Sequence, residues 1–486
     1  MIEFRDVTFF YGEETAPSVD GVSLKIDKGE TVVLCGESGC GKSTMTRLIN
    51  GLIPHFHEGK LGGEVLYDGK RTTDMRLYEL SEHVGSVFQD PRTQFYNVES
   101  TVELAFGCEN LGVPPEEIEQ RITRTATRFG LEELLDRNLF AMSGGEKQRI
   151  ACGSVDATNP ETLVLDEPSS NLDLFAIHDL AQVVQRWRDD GKTLVIAEHR
   201  IFYLVDLADR FIYIRDGRIE REFRPDELRT LSPEALEDLG LRAPDPWKLA
   251  PRAEARGSGE SLSLRSLKCI TRGRRRLSIP ELTLPRGEII AVIGRNGAGK
   301  TTLARTLCGL EKTGSGVLGI DGATHDIRKR RDLVYMVMQD VNHQLFTEDV
   351  ISELLLSMDG TDPDAEQKRA MEILRSLDLD DKSGRHPMSL SGGEQQRVAI
   401  GSAIAAGREI LILDEPTSGL DHKRMTQVAD YLTAMSADGK TVLVITHDIE
   451  LVLRCCSHAI YLVDGEVAQK SRMDGTGAQQ LREFFE

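Results

Sequence analysis

The stretch "GESGCGKST", Gly36 to Thr44, returns later in the chain as "GRNGAGKTT", Gly294 to Thr302. Each comes after a short apolar run and opens an amphipathic one, so each is expected to join a buried strand to a helix. In that setting the backbone N–H groups of Gly36, Glu37, Ser38, Gly39, Cys40 and Gly41 curl around phosphate oxygens at a helix N-terminus. Gly294, Arg295, Asn296, Gly297, Ala298 and Gly299 form the same loop again. Lys42 and Lys300 then reach the outer phosphate oxygens, Ser43 and Thr301 offer a hydroxyl to Mg²⁺, and Thr44 and Thr302 complete the two phosphate-binding sets.

Further pairs occur in the same order. Asp166 and Asp414 each end a run of four residues that leads out of an apolar strand, "LVLDEP" and "LILDEP", where a carboxylate can hold the shell of a divalent cation. Glu167 and Glu415 come next and are placed to orient and polarise an attacking water. Gln89 in "VFQD" and Gln339 in "VMQD" are expected to touch both the metal and that water, and His199 and His447 to touch the terminal phosphate. A phrase with neither lysine loop nor nucleophile also comes twice, "MSGGEKQRI" at Met142–Ile150 and "LSGGEQQRV" at Leu390–Val398.

These residues need elements to carry them. "ETVVLC" and "EIIAVI" are buried-strand candidates, "KSTMTRLINGL" and "KTTLARTLCGL" helices, and "TLVIAEH" and "TVLVITH" strands ending at the histidines. Strands with polar C-terminal ends, alternating with helices, indicate an α/β fold with a mainly parallel sheet and the site along one sheet edge. The repeats keep their order throughout, and the first copy has the longer, turn-rich connection "IPHFHEGKLGG" after its phosphate loop. The chain is therefore expected to hold two copies of one domain, residues 1–222 and 261–486, joined by a Pro-, Ala- and charge-rich linker at 223–260 that carries one short helix.

Composition narrows the functions. With 40% hydrophobic and 28% charged residues the chain is globular in type, and its formal net charge of −20 argues against nucleic acid as a main partner. No apolar run is long enough to span a bilayer and the start lacks a secretory signal pattern, so a cytoplasmic chain is expected. The 8 cysteines show no metal-ligand spacing and are expected to be buried thiols in a reducing compartment.

Taken together, the phosphate loops, the Asp–Glu pairs, the glutamines, the histidines and the SGGE phrases resemble the nucleotide-binding domains of ABC ATPases, over nearly the whole chain outside the linker. The resemblance implies two P-loop domains, each with a mainly parallel sheet core, a small antiparallel β part and a helical subdomain, using ATP and Mg²⁺. It implies that Ser143, Gly144 and Gly145 close over ATP on Lys300, while Ser391, Gly392 and Gly393 close over ATP on Lys42. It also implies an aromatic ring on adenine, which Tyr11 fits; the matching "KCITRGRRR" offers only Thr271 and Arg272. The run Arg272, Arg274, Arg275 and Arg276 is read as a solvated loop.

The segment "QDPRTQFYNVESTVELAFGCENLGVP", Gln89–Pro114, is similar to that of energy-coupling factor transporter ATPases, and "QDVNHQLFTEDVISELLL" to the second ATPase of that group. This implies uptake of a vitamin or transition metal, a transmembrane coupling subunit and a membrane substrate-binding subunit as partners, and a place at the cytoplasmic face of the membrane. The alternatives are a soluble tandem ATPase acting on ribosomes or other macromolecules, which the acidic charge disfavours, and the motor of another importer class. The stretch from Lys42 to Asp166 leaves no room for the long insertions of DNA-repair ATPases. Coupling is expected through a groove that mixes Phe95, Tyr96, Val98, Leu345, Phe346 and Val350 with Asp90, Glu99, Glu103, Asp340, Glu348 and Asp349, and that accepts an amphipathic basic helix.

Overall fold

The structure is a computed structural model that describes residues 1–252, 261–271, 274–320, 322–326, 329–358 and 360–485. It divides into two compact units, Met1–Pro246 with Gly419–Lys423, and Trp247–Ser418 with Arg424–Glu486. The first unit contains strands β1 (Ile2–Tyr11), β2 (Val19–Ile26), β3 (Thr31–Cys35), β4 (Gly59–Tyr67), β5 (Lys70–Arg71), β6 (Val84–Val87), β7 (Thr162–Asp166), β8 (Thr193–Ala197), β9 (Arg210–Arg215) and β10 (Arg218–Phe223). The second contains β11 (Ser261–Thr271), β12 (Arg274–Pro285), β13 (Ile289–Ile293), β14 (Gly314–Ile320), β15 (Ala323–His325), β16 (Val334–Val337), β17 (Ile410–Asp414), β18 (Thr441–Ile445), β19 (His458–Val463) and β20 (Glu466–Arg472).

Each unit has a four-stranded and a six-stranded sheet. The first unit's orders are β2-β1-β4-β5 and β10-β9-β3-β8-β7-β6; the second's are β12-β11-β14-β15 and β16-β17-β18-β13-β19-β20. The small sheets are antiparallel, and the large ones are parallel except for the terminal pairs β9–β10 and β19–β20. Covered on both faces, the parallel strands need unbroken apolar runs, and every residue of β3, β8, β13 and β18 is buried. Each such Val, Ile or Leu contributes roughly 1.5–3 kcal/mol over an exposed one.

Strand register assembles the candidate site. Asp166 pairs with Ala197 and Asp414 with Ile445, so the ends of β7 and β8, and of β17 and β18, lie side by side. The amide of Glu167 then donates to Ala197 O at 2.8 Å, and that of Glu415 to Ile445 O at 2.9 Å. Two carboxylates and a histidine are thereby brought to one edge in each copy.

Two departures from the sequence-based expectations have physical causes. The segment expected to be a linker carries two short helices, Pro225–Arg229 and Pro233–Asp238, whose Leu228 and Leu236 are buried with Leu241 in the first unit's core; residues 253–260 lie outside the described residues. Arg275 and Arg276 belong to strand β12 rather than to a loop, because Cys269 and Ile270 pair with Leu277 and Arg275 across a bulge, and Arg275 meets Glu466 at 3.0 Å. Arg272 lies outside the described residues. All eight cysteines are buried and free, as expected of thiols used for packing.

Candidate functional site

The first phosphate loop leaves β3 and ends at Gly41, the N-cap of the helix Lys42–Ile49, with φ 106°. Only glycine fits there: a Cβ would lie 2.4 Å from Ser18 O, and at Gly36, φ 146°, one would lie 2.2 Å from Ile214 O. Lys42, 3% exposed, donates to Gly36 O at 3.0 Å and Glu37 O at 2.9 Å, curling its ammonium over the loop. Lys300 does the same with Gly294 O at 2.7 Å and Arg295 O at 3.2 Å.

Ser43 Oγ donates to Asp166 Oδ1 and Thr301 Oγ1 to Asp414 Oδ2, each at 2.9 Å. A hydroxyl beside a carboxylate is a hard oxygen set that suits Mg²⁺, which takes one or two protein oxygens plus phosphates and water. Among the described residues no cluster of three or more His, Cys, Asp and Glu side chains forms a metal cage, and this kind of Mg²⁺ site needs none. Burial pushes the carboxyls of Asp166 and Asp414 up, partly offset by these hydroxyls, so a cation arriving there displaces any proton they hold.

Glu167 and Glu415 have left-handed backbones, φ 44° and 49°, a strain of order 1 kcal/mol. The strained turn swings each side chain back toward the histidine strand. His199 Nε2 lies 3.2 Å from Glu167 Oε1, and His447 Nε2 lies 3.4 Å from Glu415 Oε1. Gln89 Nε2 donates to Glu167 Oε2 at 2.7 Å, and Ser38 Oγ stands 3.5 Å from His199 Nε2. Burial alone would raise Glu167, but the His199 hydrogen bond and charge and the Lys42 ammonium outweigh it and hold the carboxyl below its usual range. The side chain is therefore a carboxylate at neutral pH, able to accept hydrogen bonds. Gln339 is exposed at the corresponding place in the second copy.

Tyr11 is fixed by the edge of Phe9, with centroids 4.9 Å apart, and its hydroxyl lies 3.3 Å from Thr44 Oγ1 and accepts from Arg47 at 3.0 Å. Its ring is thus tied to the first turns after the phosphate loop. Thr271 ends β11 in the second copy and brings no ring. Ser143 and Ser391 cap separate helices, Gly144–Thr158 and Gly392–Ala405. The Ser143 amide donates to Glu146 at 2.7 Å and the Ser391 amide to Glu394 at 2.8 Å, while Gly144 and Gly392 remain exposed.

Sequence reasoning overlooked two carboxylates, Glu198 and Asp448, that flank the histidines on opposite sides. The exchange of "EHR" for "THD" between the copies was the signal.

A strand, Gly-rich loop and helix, with a lysine, a hydroxyl–carboxylate pair and an oriented glutamate, define a P-loop nucleotide hydrolase, here present twice. The family described as "ABC transporter" matches residues 19–170 and 277–418, so the chain belongs to the ABC transporter ATP-binding proteins and is an ATPase with duplicated nucleotide-binding domains. A protein of Treponema denticola bearing the name ABC transporter ATP-binding protein is 41% identical over 478 residues, 97% of each chain. One of the same name from Methanosarcina mazei is 33% identical over 531 residues, 99% of this chain and 89% of that one. Among solved structures, a chain of the ribosome-bound archaeal Pelota–ABCE1 assembly superposes with a TM-score of 0.72 at 23% identity, covering 99% of this chain and 80% of that one. That likeness is one of fold.

Proposed function

We propose that the chain is the ATP-hydrolysing motor of an energy-coupling-factor type importer for a vitamin or transition metal, working peripherally at the cytoplasmic face of the membrane. Its partners on this reading are a transmembrane coupling subunit and a membrane substrate-binding subunit. The observation that carries the reading is a set of large apolar residues exposed at matching positions of the two copies. Tyr96 is 80% exposed and Phe140 67%, with Val98 and Val102 nearby; Phe346 is 73% exposed and Met388 51%, with Leu356. The Leu139 amide donates to Val98 O at 2.8 Å, which joins the segment before the first SGGE phrase to the one after Gln89. Large apolar groups repeated at the same place in both copies are costly in water and fit a partner's apolar helix.

The groove expected from sequence needs correction at its floor. Leu345 and Val350 are buried, so neither lines a surface, and Phe95 is half-buried against the core. Glu103 is buried too, and accepts from the amides of Tyr96 at 3.1 Å and Asn97 at 2.8 Å. It holds up the patch from below, and Glu353 does so under Phe346 and Thr347. Glu99 and Glu348 remain as exposed acids at the rim.

At each site Lys42 or Lys300 would hold the outer phosphates of ATP, and Ser43 with Asp166 or Thr301 with Asp414 would hold Mg²⁺, which would supply charge neutralisation for phosphoryl transfer. Glu167 and Glu415 orient the water, with Gln89 and Gln339 and His199 and His447 around them. Ser143, Gly144 and Gly145, like Ser391, Gly392 and Gly393, donate to the γ-phosphate of an ATP seated on a different copy, so nucleotide joins domains head to tail. Residues 1–222 and 261–486 are the two domains in this scheme.

The test is affinity isolation of the full chain from detergent-solubilised membranes of its source. A stoichiometric multi-span subunit that stays with the chain and changes its ATPase rate is the expected result. Recovery with ribosomal subunits, and with no membrane protein, would overturn the transport reading.

A further inference from the structure

We propose that Glu198 is a positioning residue of the first ATP site, and that it performs from one side of the histidine the task that Asp448 performs from the other side in the second. The proposal rests on the reading of Glu167 and His199 as the hydrolytic pair. Glu198 is 2% exposed. Its Oε1 accepts from the Ser169 amide at 3.2 Å and the Tyr203 hydroxyl at 2.9 Å, and its Oε2 from the amides of His199 at 2.7 Å and Arg200 at 3.3 Å. One carboxylate thus ties the loop two residues beyond Glu167 to the backbone that carries His199.

In the second copy position 446 is threonine and the carboxylate stands at Asp448, 4% exposed. Thr417, the counterpart of Ser169, donates through Oγ1 to Asp448 Oδ2 at 2.8 Å. The Asp448 amide donates to Thr446 Oγ1 at 3.0 Å, and Asp448 Oδ1 accepts from the Leu451 amide at 3.3 Å. The same two segments are joined, the glutamate loop and the histidine turn, but the carboxylate has crossed the histidine and the bond to the loop has moved from a backbone donor to a hydroxyl.

A bulk structural role would not require this exchange. Two buried carboxylates on different residues, each bridging the same pair of segments, indicate that the bridge itself is what both copies keep. Its consequence is registration of the imidazole against the Glu167 carboxylate, where misplacement by about 1 Å costs on the order of 10² in rate. Removing Glu198 also leaves several buried N–H groups without an acceptor, so the turn is expected to relax away from its present geometry.

The experiment measures steady-state ATP hydrolysis by the full chain carrying Glu198→Ala, Glu198→Gln, or the fourfold exchange Ser169→Thr/Glu198→Thr/Arg200→Asp/Tyr203→Leu, which installs the second copy's set. For Glu198→Ala, kcat is expected to fall at least about twofold, and about tenfold or more if the two sites fire together, with KM within about threefold of native. The fourfold exchange is expected to recover most of the native kcat. Native kcat in Glu198→Ala, or a folded fourfold variant no faster than Glu198→Ala, would overturn the proposal. If Glu198→Ala does not fold, Glu198→Gln decides: its single acceptor oxygen leaves some of these donors unmatched, so reduced kcat at native KM supports the bridge and native kcat rejects it. Glu167→Gln is run alongside, and native turnover in that variant would reject the hydrolytic pair itself, a failure separate from that of Glu198.

Discussion

Glu167 and Glu415 show how much of the chemistry rests on one backbone angle. Each side chain reaches its histidine because a left-handed residue comes directly after the strand end, a conformation for which glutamate has no intrinsic preference. Exchanging both for glutamine keeps volume and turn but removes the base, so phosphate release by the Glu167→Gln/Glu415→Gln chain is expected to drop on the order of 10² while ATP binding is retained. Undiminished release would reject the assignment. Cys40 offers a second test at this scale. Burial raises its thiol above the usual value, against the pull of the Lys42 ammonium 3.8 Å from its Sγ. The thiolate is the reactive form, so alkylation at pH 7 is expected to be slow, to quicken as pH rises past 9, and to be blocked by ATP. Rapid labelling at pH 7, detected by mass spectrometry of the Cys40 peptide, would contradict this. Identities such as Lys42, Asp166 and Glu167 were legible in the sequence because their order is imposed by the chemistry. Glu103 and Glu198 were not: a lone carboxylate looks solvated until the fold turns several N–H groups toward it.

The helices that begin at Gly144 and Gly392 owe their starts to a reciprocal cap, visible in sequence as serine with a glutamate three residues later. In the second copy Glu394 accepts from the Ser391 amide and hydroxyl and pairs with Lys382. Burial by itself would raise this carboxyl, yet these partners bring it down to about 2. A carboxyl lowered on folding contributes its stability fully above the unfolded value of 4.5, and loses it as pH falls toward 2. Glu394→Gln is therefore expected to unfold at lower urea than the native chain at pH 7, by roughly 0.5–2 kcal/mol, with the gap narrowing from about pH 4.5 downward. An equal gap at pH 7 and pH 3 would show that the ionised form is not what matters. Strand identity was legible for the same local reason: β7 and β17 are continuous apolar runs. The segment at 225–246 was not, because Pro225, Pro233 and Gly240 cut it into pieces too short to show a periodic stripe, and tertiary burial of Leu228, Leu236 and Leu241 gives the short helices their place.

Duplication lets the whole chain serve as its own control, since a feature kept in both copies despite changed residues marks a shared demand. The glycines and lysine of the phosphate loops and the Ser–Glu caps are kept with the same residues, the strands with residues of the same apolar kind, and the carboxylate bridge with different ones. The apolar patches belong to the second kind: Tyr96 and Phe346 are both exposed aromatics, while Phe140 answers Met388. Asp90 and Asp340 are poor probes of this surface, because each accepts from a backbone amide two residues on, at 2.9 and 3.1 Å, and reversing their charge would break a turn. Glu99 and Glu348, both exposed, separate the contributions better. On the proposed transport reading, the Tyr96→Ser/Phe346→Ser chain should lose capture of a membrane subunit, since each buried aromatic at such a contact is worth ~2 kcal/mol or more, about thirtyfold in affinity. Glu99→Lys/Glu348→Lys should weaken capture less, and the difference from native should shrink in high salt if the partner's helix is basic. Both variants should bind ATP as tightly as the native chain, because neither pair touches the phosphate loops. The measurement is capture of the coupling subunit at two salt concentrations beside nucleotide affinity. Full capture by the serine variant would remove the patches as the docking surface, whereas lost ATP binding would mean that they support the nucleotide site instead.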